Sequence, residues 1–439
     1  MSAIPQSIAY KESGIPWLGK IPEHWEILPL QAVFQNRSEN NSDKRIGLIL
    51  SLVKDLGIIP YEEKGDIGNK SKDDLSQYKI ARENDIVLNK MNAVIGSIGI
   101  SKYVGLVSPI YLVLAIRNHE LFSPLYFSRM FEIKALQESL SQYASGIMKI
   151  RESIDYLDFK KMHIPLPPLQ EQKVIADFLD KKTHQIKEFI AKKQKLITLL
   201  EEKKQTLINQ CVTQGLDSST PLKDSGVEWL GKIPTHWEVR KLKHLGKFQN
   251  GINIGAEAFG SGSPFVSYGD VYKNSSLPKT IRGLVESSEI DQKLYSVKKG
   301  DIFFTRTSET IEEIGMSSVC FQTIPNATFA GFLIRFRPSG NELDKGFSKF
   351  YFRSNLHRIF FIRENGLVTR ASLSQELLKD LPVLLPPLEE QKTIAEYLDT
   401  QIEKIDLAVC KIKSQINLIK EYKTTLISGA VCGRVGIKG

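Results

Sequence analysis

The spacing of apolar residues changes character twice along this chain, at two equivalent places. Up to about residue 165, apolar residues come in short runs broken by Gly, Asn, Ser and Pro. GLILSLV (47–53), DIVLNK (85–90) and PIYLVLAI (109–116) read as strands. Beyond the double proline Pro167-Pro168 the period lengthens. Ile186, Ile190, Lys193, Ile197, Leu200, Lys204 and Leu207 then follow at alternating steps of four and three. A second stretch repeats the change. DIFFTR (301–306) and GFLIRF (331–336) read as strands, Pro386-Pro387 marks the switch, and Ile405, Val409, Ile412, Ile416, Ile419, Lys423 and Leu426 continue the stripe. Alternating fours and threes predict a coiled-coil seam. Each helix is expected to run about 40–45 residues, roughly 60–65 Å. Proline suits the first turn of a helix, and Glu171, Glu389 and Glu390 there suit its dipole.

The repeat is literal in places. KESGIPWLGKIPEHWEILPL (11–30) returns as KDSGVEWLGKIPTHWEVRKL (223–242), 212 residues on (223 − 11), with 13 of 20 positions identical. PLPPLQEQKVIADFLD (165–180) returns as LLPPLEEQKTIAEYLD (384–399), 219 residues on (384 − 165). A period this long means duplicated domains rather than a solenoid. Each copy has a well-matched start, a divergent middle and a well-matched end. The middles share a strand cue, Asp85-Ile86-Val87-Leu88 against Asp301-Ile302-Phe303-Phe304, followed by Ile98-Gly99 or Ile314-Gly315. A long helix with one apolar stripe needs a partner, and the other copy supplies one.

The expected architecture is α+β: two pseudo-symmetric mixed modules separated by two long antiparallel helices. Its parts are an opening segment (1–21), a first module (22–167), a central long helix (168–213), a linker repeating the opening segment (214–233), a second module (234–386), a C-terminal long helix (387–432) and a tail (433–439). The seam residues expected to pair the helices are Ile186, Ile190, Ile197, Leu200, Leu207, Ile405, Val409, Ile412, Ile416, Ile419 and Leu426.

Composition narrows the class. A chain of 439 residues can hold two to four domains. The net charge of +9 agrees with an acidic partner but is modest for this length. Cys211, Cys320, Cys410 and Cys432 form no CxxC pair, so neither a zinc site nor a disulfide framework is indicated. The first residues lack the apolar stretch of a signal peptide, and no run is long enough to span a membrane. A cytoplasmic protein is expected.

Enzymatic signals fail on inspection. GIPWLGK (14–20) and GVEWLGK (226–232) fit the phosphate-loop spacing, but Ile follows the lysine where Ser or Thr would bind magnesium. The glycines of 259–263 come without an Asn/Asp-Pro-Pro-aromatic methyltransferase motif. Glu171-Gln172-Lys173 and Glu390-Gln391-Lys392 open helices and lack the Pro-Asp half of a nuclease signature. No triad, metal cluster or catalytic carboxylate pair stands out, and no cofactor is expected. All four Trp (Trp17, Trp25, Trp229, Trp237) lie in the duplicated opening, as do His24 and His236. Stacking on bases is one use of such Trp. Stapling the opening segment to the module or helix end is the stronger one, because variable function does not sit in an invariant part.

The Pro-x-His-Trp-Glu openings, the paired strand cues and above all LPPLQEQK (166–173) and LPPLEEQK (385–392) introducing long helices resemble the specificity subunits of type I restriction–modification systems. The tail from Leu426 to Gly433 is similar to that family's helix ending. The resemblance spans nearly the whole chain. It implies a non-catalytic DNA-binding subunit whose two target-recognition domains each read half of a bipartite double-stranded site. It also implies two modification (methyltransferase) subunits docked on the helices and motor-endonuclease subunits joining for restriction. A methyltransferase acting alone would need a donor loop and a catalytic motif, which are missing. A coiled-coil adaptor for a protein ligand would not bind DNA in a salt-sensitive way.

The loops after the matched strands carry Lys90 and Asn92, or Arg306 and Ser308. The segments before each module's last strand carry Lys149 and Arg151, or Thr369 and Arg370. Cations with amides or hydroxyls beside glycine can meet phosphates or base edges, so these eight are the candidate DNA contacts. Tyr268 and Asp270 could also line the second groove, although a place in the core is the stronger expectation for Tyr268.

Overall fold

A computed structural model describes residues 9–54, 56–65, 74–145, 153–308, 313–365 and 371–437. The chain divides into two compact units, residues 1–193 with 413–439, and residues 194–412. Each contains one module.

The modules share one sheet plan. In the first, a four-stranded antiparallel sheet runs in the order Phe34–Asn36, Tyr111–Ile116, Ile86–Asn89, Ile98–Ile100. In the second, the order is Gly246–Asn250, Leu333–Pro338, Ile302–Thr305, Ser317–Val319. The central strands are apolar at successive positions because both faces are covered. Ile86 and Leu88 face one core and Val87 a second. Ile302 and Phe304 face one core and Phe303 another. The aspartate opening each cue is buried. Asp85 accepts from the Arg82 amide (2.8 Å) and pairs with Arg37. Asp301 accepts from the Lys298 amide (2.7 Å) and pairs with Arg337. The two Ile-Gly pairs are not equivalent positions, because Leu88 faces Ile98 whereas its counterpart Phe304 faces Ser317. The loop after the second central strand is longer, so the sequence match there was accidental.

The duplicated ends close each module on itself. Glu26–Pro29, just after the first opening, pairs antiparallel with His163–Leu166, just before the double proline. Glu238–Lys241 pairs with Pro382–Leu385 in the same way. The opening segments form matching ladders, Tyr10–Glu12 with Lys20–Pro22 and Leu222–Asp224 with Lys232–Pro234.

Two long helices follow, Leu169–Gln214 and Leu388–Val431. In the unit holding the first module, Ile175 and Leu179 near the start of the first helix share a core with Leu426, Ile427, Ala430 and Val431 near the end of the second. In the other unit, Cys211 and Val212 at the end of the first helix share a core with Ile394 and Leu398 near the start of the second. The pairing is therefore antiparallel. Every seam position named above is buried or half-buried, while the positions between them are largely exposed. Two of the three seam lysines are occupied within the chain. Lys204 Nζ lies 2.7 Å from an Asp406 carboxylate oxygen, and Lys193 Nζ sits 5.3 Å from the centre of the Phe189 ring. Both helices are amphipathic and charged, and no described helix is long and apolar enough to cross a membrane.

Candidate nucleic-acid interface

Each module is held at its helix end by the same set of bonds, and this clamp orients everything else. The Trp25 indole donates to Glu171 at 3.0 Å, and the His24 imidazole meets the other carboxylate oxygen at 2.7 Å. In the second module the Trp237 indole donates to both Glu390 oxygens, at 3.2 and 3.1 Å, and the His236 imidazole meets one of them at 2.7 Å. The indoles thus staple the opening segment to the first turn of each long helix. The histidines are hydrogen-bonded and partly exposed rather than packed, and both glutamates have a use beyond the helix dipole.

The neighbouring glutamines are buried and fully used. Gln172 accepts from the Ser123 amide (2.8 Å) and donates to the Leu121 and Pro167 carbonyls (3.1 and 2.8 Å). Gln391 accepts from the Asp344 amide (2.8 Å) and donates to the Glu342 and Pro386 carbonyls (2.8 and 2.9 Å). The last residue of each duplicated block, Asp180 or Asp399, takes a cation from the short helix that begins there, Arg129 or Lys349. LPPLxEQ is thus a joint between module and helix.

The candidate loops come together at the far end of each central strand. In the first module, Lys90 follows Asn89, whose side chain accepts from the Met91 amide at 3.1 Å. The Lys90 carbonyl accepts from the Ile154 amide at 3.1 Å. Ile154 belongs to the short ladder Ala144–Ser145 with Ser153–Ile154, which flanks the second candidate segment. Asn92 is exposed at the turn. In the second module, the Arg306 carbonyl accepts from the Leu373 amide at 2.7 Å, and Thr307–Ser308 pairs with Ala371–Ser372. Both modules therefore tie the cation after the central strand to the segment before the last strand. Lys149, Arg151, Thr369 and Arg370 lie outside the described residues, and only the backbone of Ser308 is described.

The two loops differ in chemistry. Lys79, on a neighbouring strand, donates to the Tyr111 carbonyl at 2.6 Å. Its pKa is lowered, first by burial and then by Lys90 beside it. Two lysines near enough to repel each other make a positive region suited to phosphate. Lys79 was not singled out from the sequence, because only the fold brings it to Lys90. In the second module the Arg306 guanidinium is partly committed, donating to the Gly331 carbonyl at 3.2 Å. The Tyr268 hydroxyl donates to the Thr307 carbonyl at 2.9 Å, and its ring stacks on Tyr272 with centroids 5.8 Å apart. Tyr268 is thus half-buried against the loop rather than in the core. Asp270 completes a capping box with Ser267 and serves the local helix start. Among the described residues no group of His, Cys, Asp and Glu could hold a metal ion. The buried thiols are unreactive in character: burial pushes Cys211 up to about 11 and Cys320 up to about 12.

The sequence profile of the type I restriction modification DNA specificity domain matches the chain twice, over residues 22–199 and 234–418. The chain belongs to this family. It is 23% identical over 438 residues to the type I restriction enzyme MjaVIII specificity subunit of Methanocaldococcus jannaschii, covering 95% of each chain. It is 25% identical over 281 residues to the EcoKI specificity subunit of Escherichia coli, covering 61% of this chain and 58% of that one. Its fold is similar to the crystal structure of the HsdS subunit from Thermoanaerobacter tengcongensis, with a TM-score of 0.58 and 16% identity over 97% of this chain and all (100%) of that one. A chain from a structural study of assembly and conformational transition in the type I restriction–modification system aligns with a TM-score of 0.72, at 15% identity over 94% and 99% of the two chains. The protein is thus a type I specificity subunit with two DNA-recognition domains.

Proposed function

We propose that each module reads one half of a bipartite double-stranded DNA site and that the long helices act as spacer and as docking site for two modification subunits. The observation that carries this reading is the repeated junction at Lys90 and Arg306. The same backbone tie, Ile154 to Lys90 and Leu373 to Arg306, supports loops whose side chains differ between the modules. A constant frame under different loops suits two readers of different half-sites. Lys79, Lys90 and Arg306 would anchor phosphates, and the flanking segments that carry Lys149, Arg151, Ser308, Thr369 and Arg370 would complete the contact. Half-sites at a fixed gap follow from two readers on one spacer.

In this reading the chain is non-catalytic and needs no cofactor. Methyl transfer belongs to the docked modification subunits and cleavage to motor-endonuclease subunits, with the whole complex acting in the cytoplasm. Outward-facing apolar residues such as Leu196, Leu199, Leu407 and Leu418 offer the helices a second apolar stripe for docking. The test exchanges residues 31–150 for those of a related subunit, assembles the chain with modification subunits and sequences the methylated sites. One half-site should change while the other half-site and the gap stay fixed. If both half-sites changed together, or the isolated chain methylated DNA, this reading would fail.

A further inference from the structure

Strand register aligns two residues that the sequence does not. Tyr111 faces Asn89, the last residue of the first central strand, and Leu333 faces Thr305, the last residue of the second. The residue before each is therefore one structural position, occupied by Ile110 and Phe332. Ile110 is 51% exposed and Phe332 is 63% exposed. The Phe332 carbonyl accepts from the Arg306 amide, and extending the Tyr111–Asn89 register by one residue sets Ile110 opposite Lys90.

A single exposed apolar side chain is ordinary on a protein surface. Two at the same register, in modules whose middles otherwise diverge, are not accounted for that way. The backbone around each is hydrogen-bonded. The Arg306 amide donates to the Phe332 carbonyl at 2.9 Å, and the Leu333 amide donates to the Ala330 carbonyl at 2.9 Å. Gly331 is packed so closely that a Cβ there would lie 1.9 Å from the Asn253 side-chain oxygen. In the first module the Tyr111 amide donates to the Ser108 carbonyl at 3.0 Å, and Lys79 caps the Tyr111 carbonyl. Each module thus presents an ordered apolar tip next to a group able to hold phosphate.

On the half-site reading above, we propose that Ile110 and Phe332 are the apolar base-reading contacts of the two modules, each set against a thymine 5-methyl group in the major groove of its half-site. That methyl is the apolar feature by which the major groove distinguishes thymine, and aliphatic and aromatic side chains both suit it. The adjacent cation fixes the tip's distance from the backbone.

The test uses the full chain assembled with modification subunits and synthetic duplexes carrying its methylated site. In one duplex series deoxyuridine replaces thymine throughout a single half-site, which removes only the methyl groups. Wild-type binding should weaken roughly four-fold on deoxyuridine in the half-site read by the second module, the worth of about one buried methyl. Phe332→Ala should lose at least that much on thymine DNA and show no further loss on deoxyuridine. Phe332→Leu should retain most of the binding and of the methyl dependence. Ile110→Ala should do the same for the other half-site alone. The proposal is overturned if Phe332→Ala binds thymine DNA as wild type does, if it keeps the deoxyuridine penalty, or if it loses assembly with modification subunits while binding DNA normally. Absence of specific DNA binding by the wild-type complex would overturn the half-site reading itself.

Discussion

The clamp at the base of each module and the loops at the far end of its central strand make opposite use of repetition. At the clamp, Glu171 and Glu390 hold the same indole and imidazole, and Gln172 and Gln391 close the same three bonds. At the loops only the backbone tie is repeated. Lys79 and Lys90 repel each other in one module, while Arg306 donates to a carbonyl in the other. Constancy sits where bonds are buried and fully matched, because any change there leaves an unpaired polar group. Variation sits where side chains end in solvent and substitution costs little.

The sharpest way to break this contrast is to attack the clamp. Trp25→Ala or Trp237→Ala removes a fully buried indole and should destabilise its own module by about 3–5 kcal/mol in urea unfolding. Arg306→Ala should leave stability nearly unchanged and weaken DNA binding. Equal losses of stability from Trp237→Ala and Arg306→Ala would erase the distinction.

A difference in the cores themselves comes next. Leu136 stands 13 residues after Ser123, whose amide Gln172 holds (136 − 123), and His357 stands 13 after Asp344, its counterpart (357 − 344). Leu136 is buried in the first core, and His357 is buried against Tyr351, with ring centroids 4.5 Å apart. Its Nδ1 lies 3.2 Å from the Ser354 hydroxyl, and its Nε2 has no hydrogen-bond partner among the described residues. Burial holds the imidazole down at about 3. The unfolded chain binds a proton near pH 6.5 that the folded module refuses, so stability is full above that pH and falls as pH drops toward 3. The loss should reach about 2 kcal/mol at pH 5. His357→Leu, which copies the first module, should flatten the second module's pH profile and leave the first unchanged. Thermal melts of both proteins between pH 7 and 4 would show this, and an unaltered slope in the variant would count against it.

The smallest effect is electrostatic. Lys90→Ala should lower the salt dependence of DNA binding by about one unit of slope, the signature of one phosphate contact. It should also release Lys79 from its neighbour's repulsion. Binding titrations across a range of salt concentrations give the slope, and an unchanged slope would remove Lys90 from the interface.

Much of the fold was legible in the chain. Both helices and the central strands follow from apolar periodicity, because the faces they turn inward are apolar and buried or half-buried. The duplicated blocks located the joints but not what they join. Glu171 reads equally well as helix-start chemistry until Trp25 is seen beside it. The proposed interface was half legible. Lys90 and Arg306 follow a recognisable strand, but Lys79, Ile110 and Phe332 owe their places to cross-strand register, which a sequence pattern does not encode. The paired Ile-Gly motifs misled for the same reason: spacing along the chain matched while register did not.

The first module's core contains Leu426, Ile427, Ala430, Val431, Cys432 and Ile437, and the tail is tied down by Tyr10 to the Gly433 carbonyl and Arg434 to the Leu18 carbonyl. The unit of the second module is one continuous stretch, residues 194–412. On the ribosome, at about 5–20 residues per second, the later-made unit therefore has all its parts first. The earlier-made module waits with an open core until residues 426–437 emerge. A nascent chain that stalls or is cut near residue 420 would carry a complete second reader and an unfinished first one.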